Sequence, residues 1–354
     1  MLRILDNCKY FSLVVRALAE VLTELGVEHE VAPKVTTTDD ATYLIFTTHI
    51  TNPECAFCPH PLPPRYICYN FEQLNVDREW PDQLFADFAA AQEVWDYSLE
   101  NIKTLKERLP ATATIRHVPF GWTESLRVID APPPTPAAVP DVQEEEEEDV
   151  LFSNLPQKKA AAPPEEAATE PAPAATEPAK DVDFLFVGAL NETRLMKLVP
   201  LLYVYAQLRD KRVALTNDCW DADLVHAYRS SRAGLNLHYY TGRTVLEVHR
   251  ILPLIANNVW VISEHSNEAF YDDALADLVT WMDPATDNHD LLQTALVVAS
   301  LDAETMQQEV ERRQTALKER FRYVDHVRTS GLLDSPWVAI RDNDIHEDSQ
   351  AGRC

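Results

Sequence analysis

The feature that most constrains the fold is a long stretch in which the composition changes abruptly. Residues 131–180 contain 11 of the chain's 24 prolines, no glycine and a single aromatic residue, Phe152. Residues 130–180 carry twelve acidic side chains and three lysines, so their net charge is −9 out of −26 for the whole chain. Such a segment cannot bury enough apolar surface to offset the entropy lost on ordering. We therefore predict a disordered, extended linker at 130–180 that joins two folded parts.

The sequence on each side of this linker is long enough to form a domain. At 354 residues, the chain exceeds the size at which a single hydrophobic core is usual. We predict an N-terminal domain at 1–129, a C-terminal domain at 181–330 that includes a long final helix, and a tail at 331–354.

Strand and helix patterns alternate on both sides of the linker. Before it, the strand LRILDN precedes an amphipathic helix at 10–25 that ends at Gly26. Further strands are predicted at EHEVA, TYLIFTTH, RYICYNFE, EVWDYS and TIRHVPFGW. After the linker, the strands DFLFVGAL, KRVALTN, AGLNLHYY and VWVISE alternate with helices, the last of which spans 303–328. This pattern predicts an α/β fold with two Rossmann-like, doubly wound domains that face a central cleft.

Charge and hydropathy narrow the classes of partner. A net charge of −26 disfavours nucleic acid and anionic membranes as general partners. The longest apolar stretch, ILPLIANNVWVI, is too short to span a bilayer and contains Asn257 and Asn258. Asp6 and Lys9 interrupt the opening residues, which therefore do not form a signal peptide. We expect a cytoplasmic protein without a transmembrane segment, with the acidic linker available to protein partners.

One cysteine cluster has a spacing that metal sites use. Cys55 and Cys58 form a CxxC pair, and a zinc site would need His60 and Cys68 as well. No second CxxC or HxxxH motif follows, so the interpretation that we favour is a surface loop with reduced thiols. We predict no metal site and no cofactor.

The first candidate binding motif is FVGALNETRLMK. Gly188 follows a strand and lets a ligand approach the backbone, and Asn191 is a candidate helix N-cap. Arg194 lies in the first turn of the helix, where phosphate oxygens bind well. A glycine–asparagine turn into a helix is also common without any ligand. The absence of GxGxxG and P-loop motifs argues against a standard dinucleotide site or a Walker ATPase.

The second motif, LNLHYYTGRTVLEVHR, places Asn236, His238 and Tyr240 on one side of a strand end. Glu247 then begins a helix, where a carboxylate can accept two ribose hydroxyls, and Arg250 follows one turn later. Taken singly, Glu247 is equally consistent with a surface acid that interacts with the helix dipole, and His238 with a core histidine.

The third motif, VISEHSNE, ends the next strand with Glu264 and Ser266. Together with PPRYICYNFEQL, EVWDYSLENIKTLK and HVPFGW, these motifs resemble the two-domain GT-B-type glycosyltransferase-like proteins of bacteria and large viruses. The resemblance implies two Rossmann-like domains, a nucleotide-diphospho-sugar as donor substrate, and a final helix that returns to the first domain.

The same resemblance implies roles for individual residues. In the retaining transferases of this class, the donor ribose is held by a carboxylate that corresponds to Glu247, and the diphosphate by a basic residue that corresponds to Arg194. These enzymes also carry an acid eight residues before the ribose-binding one, where this chain has Tyr239. His238 and Tyr240 are then the candidate catalytic residues, unless sugar transfer is lost.

The first domain is expected to bind the acceptor. Glu72 and Gln73 end one strand, Asp96 and Ser98 end its neighbour, and Gly121 lies in VPFGW. The alternative for EVWDYS is structural, with the Trp–Tyr pair in the core and Ser98 as the N-cap of the next helix.

The resulting hypothesis is metal-independent transfer of a hexosyl or pentosyl group to an unknown acceptor, which could be a glycan, a protein or a small molecule. The alternative is a non-catalytic protein that binds nucleotides or sugars, or another protein, on the same fold. An oxidoreductase on paired Rossmann domains ranks below both, since the dinucleotide motif is missing.

Overall fold

The structure is a computed structural model that describes residues 1–6, 11–36, 40–46, 62–74, 79–127, 180–207, 212–217, 219, 221–242, 244–283 and 288–340. All but the last residue of the predicted linker at 130–180 lies outside this part. Met1–Ile129 and Ala179–Cys354 form one compact unit that contains two parallel sheets.

The first sheet has six parallel strands in the order β2-β1-β3-β4-β5-β6. The strands are β1 (Leu2–Leu5), β2 (His29–Ala32), β3 (Thr42–Phe46), β4 (Tyr66–Asn70), β5 (Glu93–Asp96) and β6 (Ile115–His117). The helices of this half are α1 (Ser12–Glu24), α2 (Asp82–Ala90) and α3 (Leu99–Arg108), and a short 3-10 helix follows at Glu124–Leu126. As predicted, α1 is followed by Gly26, whose φ of 68° suits a residue without a side chain.

The second sheet has five parallel strands in the order β11-β10-β9-β7-β8. The strands are β7 (Val182–Val187), β8 (Val213–Thr216), β9 (Ser231–Asn236), β10 (Trp260–Glu264) and β11 (Thr280–Met282). The helices are α4 (Glu192–Gln207), α5 (Asp221–Arg229), α6 (Val248–Ala256), α7 (Ala269–Ala274), α8 (Asn288–Ala299), α9 (Ala303–Arg320) and α10 (Tyr323–Thr329). Counted from β7, the order is 2-1-3-4-5 reversed, so the direction of the chain across the sheet switches between β7 and β9.

The predicted α/β class with two parallel sheets is confirmed, and among the boundaries that differ, three affect the site or the return to the first sheet. Strand β9 ends at Asn236 rather than continuing to Tyr240. Helix α6 begins at Val248, with Glu247 as its N-cap, although the helix pattern TVLEVHRILPLIANN starts at Thr244. The long final helix is two helices, because the Phe321 carbonyl leaves the helix to accept a hydrogen bond from the Trp122 N–H at 2.8 Å.

Apolar side chains form three layers. The outer face of the first sheet packs on α2 and α3, and the outer face of the second sheet packs on α4, α8 and α9. Between them, one cluster is shared by both sheets, so that α1 and Trp95 belong to the same core as α6 and Val261. Among the described residues, no helix is long and apolar enough to cross a membrane.

The chain returns to the first sheet after α9, as the resemblance implied. The Tyr323 hydroxyl lies 3.1 Å from that of Tyr69 in β4. Beyond α10, Ser335 Oγ donates to Glu93 in β5 at 2.8 Å. Ile340 then forms an antiparallel bridge with Val27, so residues 331–340 also lie against the first sheet.

Candidate functional site

The candidate site lies at the carboxyl ends of β7, β9 and β10. The switch point between β7 and β9 is where open α/β sheets bind ligands, because the adjacent loops leave in opposite directions. Gly188 directly follows β7, and the loop after β9 carries His238. The two loops are joined by the Asn191 side chain, which donates to the Tyr239 carbonyl at 2.6 Å.

Gly188 and Asn191 form the turn into α4 that the sequence predicted. Gly188 has a φ of 148°, which side chains disfavour. The Asn191 Oδ1 accepts the Arg194 N–H at 3.0 Å and therefore caps the helix. The amino end of α4 consequently faces the switch point with its positive dipole end.

Arg194 is completely buried beneath this turn. Its Nε donates to the Leu237 carbonyl at 2.9 Å and its Nη1 to the Ala189 carbonyl at 2.7 Å. Its guanidinium carbon lies 5.1 Å from the centre of the Tyr239 ring. Burial, together with the neighbouring Arg250, lowers the pKa of Arg194 to about 10, so it stays charged at neutral pH.

Arg250 comes to the same point from α6. A Cβ placed on Gly188 would lie 3.1 Å from Arg250 Nη1 and 3.4 Å from Arg194 Nη1. Two guanidinium groups therefore flank one glycine. The Arg250 guanidinium makes no hydrogen bond or ion pair within the described part of the chain. Like charges held together at the amino end of a helix are an arrangement that suits an anion.

Glu247 is the N-cap residue of α6 and is only 4% exposed. Its Oε2 lies 2.9 Å from His238 Nδ1 and accepts from the Asn236 amide at 3.3 Å. Its Oε1 accepts from the Gln73 amide at 3.2 Å and lies 3.5 Å from Arg194 Nη2. The carboxylate thus has a donor or a cation on every side.

These neighbours decide the charge states. Burial alone would raise the pKa of Glu247, but His238, Arg250 and Arg194 hold it well below its usual range. Burial alone would lower the pKa of His238, but the Glu247 carboxylate raises it above the ordinary histidine value. His238 Nε2 also lies 3.0 Å from the His265 carbonyl, which favours the doubly protonated ring.

Two buried polar atoms beside Glu247 are left without a hydrogen-bonding partner. They are Arg194 Nη2 and the Asn236 Oδ1. Helix α6 adds a third buried atom of this kind, His249 Nδ1. Buried polar groups are almost always paired, so unpaired ones mark a place where a ligand or a water would bond.

The structure separates some of the other predicted residues from this group. Glu264 belongs to it, because its carboxylate accepts from the His238 N–H at 2.7 Å and pairs with Lys197. Ser266 instead bonds Asp272 of α7 through its hydroxyl at 2.9 Å. Tyr240 follows the end of β9 and packs edge-on against the Tyr239 ring at 5.0 Å.

On the first sheet, Gln73 reaches this group, and it also accepts the Val245 N–H at 3.1 Å. Glu72 contributes its backbone carbonyl, which accepts from the Asn101 amide at 2.7 Å. Gly121 lies against backbone, since a Cβ there would be 2.6 Å from Tyr323 Cα.

Asp96 and Ser98 are fully buried at the end of β5. Asp96 accepts from the Asn70 amide at 2.6 Å and from the Ser98 N–H at 2.8 Å, and burial raises its pKa well above the usual range. Ser98 caps α3 and donates its hydroxyl to Glu268 of the second sheet's half. Ser98 is therefore the N-cap that the structural alternative predicted, and Asp96 holds the backbone just before it.

Sequence reasoning missed three participants. Gln73 was assigned to the acceptor side although it bonds Glu247, and Lys197 and His249 were not identified as site residues. Glu264 was predicted because it ends a strand. The sequence did not indicate that Lys197 pairs with it, because that contact joins distant parts of the sequence. For His249, the sequence signal that could have indicated it was its position next to Arg250 on α6. Of the four residues that a zinc site would have needed, only Cys68 is described, and it is buried in β4.

Comparisons with known proteins gave structural similarity alone. No family model matches the chain, and no curated protein matches its sequence. The HepE protein of Anabaena, solved with UDP and glucose, has a TM-score of 0.49 and 8% identity over 94% of this chain and 99% of its own. A glycosyltransferase from Rickettsia africae has a TM-score of 0.45 and 9% identity over 93% of this chain and 95% of its own.

The sucrose-phosphate synthase of Thermosynechococcus elongatus has a TM-score of 0.46 and 10% identity over 83% of this chain and 72% of its own. Identities this low say nothing about substrates, and TM-scores below 0.5 mark a distant likeness.

Proposed function

We propose that the protein is a glycosyltransferase that moves a sugar from a nucleotide-diphospho-sugar to an acceptor without a metal ion. The observation that carries this proposal is the pair of guanidinium groups, Arg194 and Arg250, that flank Gly188 at the switch point. A diphosphate placed there would meet two cations and the amino end of α4.

In the proposed reaction, the bond between the sugar's anomeric carbon and the diphosphate oxygen breaks, and an acceptor oxygen forms the new bond. Negative charge develops on the departing diphosphate. Arg194, Arg250 and the α4 dipole would stabilise that charge in the place where a divalent ion acts in other enzymes. The acceptor hydroxyl would pass its proton to the departing diphosphate oxygen, since protonated His238 is paired with Glu247 and cannot take it.

Glu247 would hold the ribose of the donor. A ribose hydroxyl is a donor, as are the amides of Gln73 and Asn236, whose bonds to Glu247 are its longest at 3.2 and 3.3 Å. The nucleotide would therefore replace one of these amides, while the shorter bond to His238 keeps the carboxylate oriented and ionised.

A second candidate is a protein that binds a nucleotide or a sugar without catalysis. Tyr239 favours this alternative, because it stands where the retaining transferases of this class have an acid and is 38% exposed. The phosphate-binding arginines would be retained in either case. The two candidates differ only in turnover.

Turnover is tested by incubating the wild type with a panel of nucleotide sugars and measuring release of the nucleoside diphosphate. We expect slow release with one donor, even without acceptor, that is lost in Arg250→Ala and kept in Arg328→Ala, a control at an exposed arginine of α10. Binding of a nucleoside diphosphate without any release from its sugars would favour the non-catalytic alternative.

A further inference from the structure

Tyr239 is an exposed aromatic residue at the switch point that the proposed reaction does not yet use. It lies three residues beyond the end of β9 and is 38% exposed. Its backbone carbonyl is fixed by the Asn191 amide at 2.6 Å. Its hydroxyl forms no hydrogen bond with the part of the chain that the structure describes. An accessible phenol oxygen is therefore held at the site without a partner.

The Tyr239 ring lies against the residue that is proposed to hold the diphosphate. The guanidinium carbon of Arg194 is 5.1 Å from the ring centre. The Tyr240 ring packs edge-on at 5.0 Å, which restricts how the Tyr239 ring can turn. In the proposed reaction, the anomeric carbon of the sugar is bonded directly to a diphosphate oxygen. That carbon and the Tyr239 side chain would therefore meet beside the same guanidinium group.

The position of Tyr239 in the sequence supports the same arrangement. Tyr239 stands eight residues before Glu247, where the retaining transferases of this class carry an acid. Tyrosine is one of the side chains that form covalent bonds to substrates, and it attacks the anomeric carbon in sialidases. A tyrosine at this position keeps a nucleophilic oxygen there, although it does not keep the carboxylate.

We propose that the chain transfers a sugar to its own Tyr239 hydroxyl, which makes Tyr239 the first acceptor. This inference rests on the function proposed above. In the step, the Tyr239 oxygen forms a bond to the anomeric carbon while the bond between that carbon and the diphosphate oxygen breaks. The phenol proton passes to the departing diphosphate oxygen. The products are a glycosyl-tyrosine and a nucleoside diphosphate, and no third reactant is needed.

The glycosyl-tyrosine should accumulate rather than turn over. Removing the sugar from Tyr239 again would require a group that protonates the phenol oxygen. His238 carries a proton on each ring nitrogen, but Nδ1 lies 2.9 Å from the Glu247 carboxylate and Nε2 lies 3.0 Å from the His265 carbonyl. Both protons are therefore engaged. Without another acceptor, the expected end point is one sugar on each chain.

The test incubates the full-length wild type with a panel of UDP- and GDP-sugars, without an added acceptor, and measures the mass of the intact protein. With one donor, we expect the mass to increase by one sugar residue and one equivalent of nucleoside diphosphate to be released. Peptide mass spectra should assign the sugar to Tyr239. The labelling rate should not depend on protein concentration, because the donor site and the acceptor oxygen belong to the same chain.

Two variants make the test specific. Tyr239→Phe keeps the ring beside Arg194 and removes only the hydroxyl, so it should gain no sugar. In calorimetry it should bind the nucleoside diphosphate as tightly as the wild type, which also shows that it is folded. Tyr203→Phe, at a 70% exposed tyrosine of α4, should be labelled like the wild type.

The possible failures of this inference and of the proposed function can be told apart. Repeated release of nucleoside diphosphate by a wild type whose Tyr239 stays unlabelled would overturn the inference and leave the transferase function in place. Labelling of Tyr239→Phe, or of another residue in the wild type, would overturn it in the same way. Binding without release or labelling would overturn the inference and favour the non-catalytic alternative. A wild type that binds no nucleoside diphosphate would overturn both.

Discussion

The side-chain amide of Gln73 hydrogen-bonds with the Glu247 carboxylate across the two sheets, with 3.2 Å between Nε2 and Oε1. The same side chain accepts the Val245 N–H at 3.1 Å, just before the helix that Glu247 caps. One residue of the first sheet therefore holds both the carboxylate and the backbone that positions it. If Glu247 holds a ribose as proposed, the Gln73 amide occupies one of the two carboxylate oxygens that a ribose hydroxyl could use.

Replacing Gln73 should separate these two effects. Gln73→Ala leaves the buried Val245 N–H without a partner, which should lower the free energy of unfolding by about 1–3 kcal/mol. If the nucleotide displaces Gln73, the variant should bind nucleoside diphosphates several-fold more tightly than the wild type in calorimetry. An affinity that falls instead would mean that Gln73 contacts the ligand.

The bond between Ser98 and Glu268 should contribute to holding the two halves together. Ser98→Ala removes both the cap of α3 and this bond, and we expect a loss of about 2 kcal/mol in chemical denaturation. Ser300→Ala, at an exposed serine, should change stability by less than about 0.5 kcal/mol. In a double-mutant cycle with Glu268→Gln, additive losses would show that the two side chains are not coupled.

His326 should make the fold sensitive to acid. Burial among Phe321 and Phe270 lowers the pKa of His326 to about 4, whereas a histidine in the unfolded chain titrates near 6.5. Between these values the unfolded state binds the extra proton, so stability is lost as pH falls from about 6.5 to about 4.

In His326→Gln, the part of this loss of unfolding free energy that comes from one proton should disappear. That part is at most about 1.4 kcal/mol per pH unit. Urea denaturation of both proteins at a series of pH values measures it. Parallel curves for the two proteins across this range would show that His326 does not contribute.

Most of the fold could be predicted from the sequence, because the apolar strands of both sheets are short and their helices are amphipathic. The exceptions are set by contacts between distant residues. Helix propensity continues through Phe321, but the backbone pairing of residues 321–323 with Trp122 ends the helix there. Strand β11 has only three residues, too few for a periodic pattern, and it forms because β10 offers it an edge.

The residues of the candidate site that lie at or just after the ends of strands could be predicted from the sequence. The position after a strand indicated Gly188, whereas Arg194 and Glu247 were indicated by the helix starts that follow and by the family resemblance. The sequence analysis also placed Tyr240 on the strand. This prediction is wrong, because β9 ends four residues earlier. Sequence spacing could not predict that donors from both sheets bond to the Glu247 carboxylate, because Gln73 is 174 residues away.

The central claim is that Arg250 and Arg194 bind the diphosphate of a nucleotide, and Arg250→Ala tests it most directly. Arg250 is only half-buried and its guanidinium forms no hydrogen bond or ion pair with the described residues, so the variant should fold normally. Charge-assisted bonds to phosphate contribute about 1.5–3 kcal/mol each. Calorimetry should therefore show UDP or GDP binding at least tenfold more weakly to Arg250→Ala than to the wild type.

Binding of the corresponding nucleoside should be unchanged in Arg250→Ala and weaker in Glu247→Gln, because the ribose and the diphosphate have separate partners. Arg328→Ala should match the wild type with every ligand. A wild type that binds neither diphosphate, or an Arg250→Ala variant that binds the diphosphate as tightly as the wild type, would contradict the account.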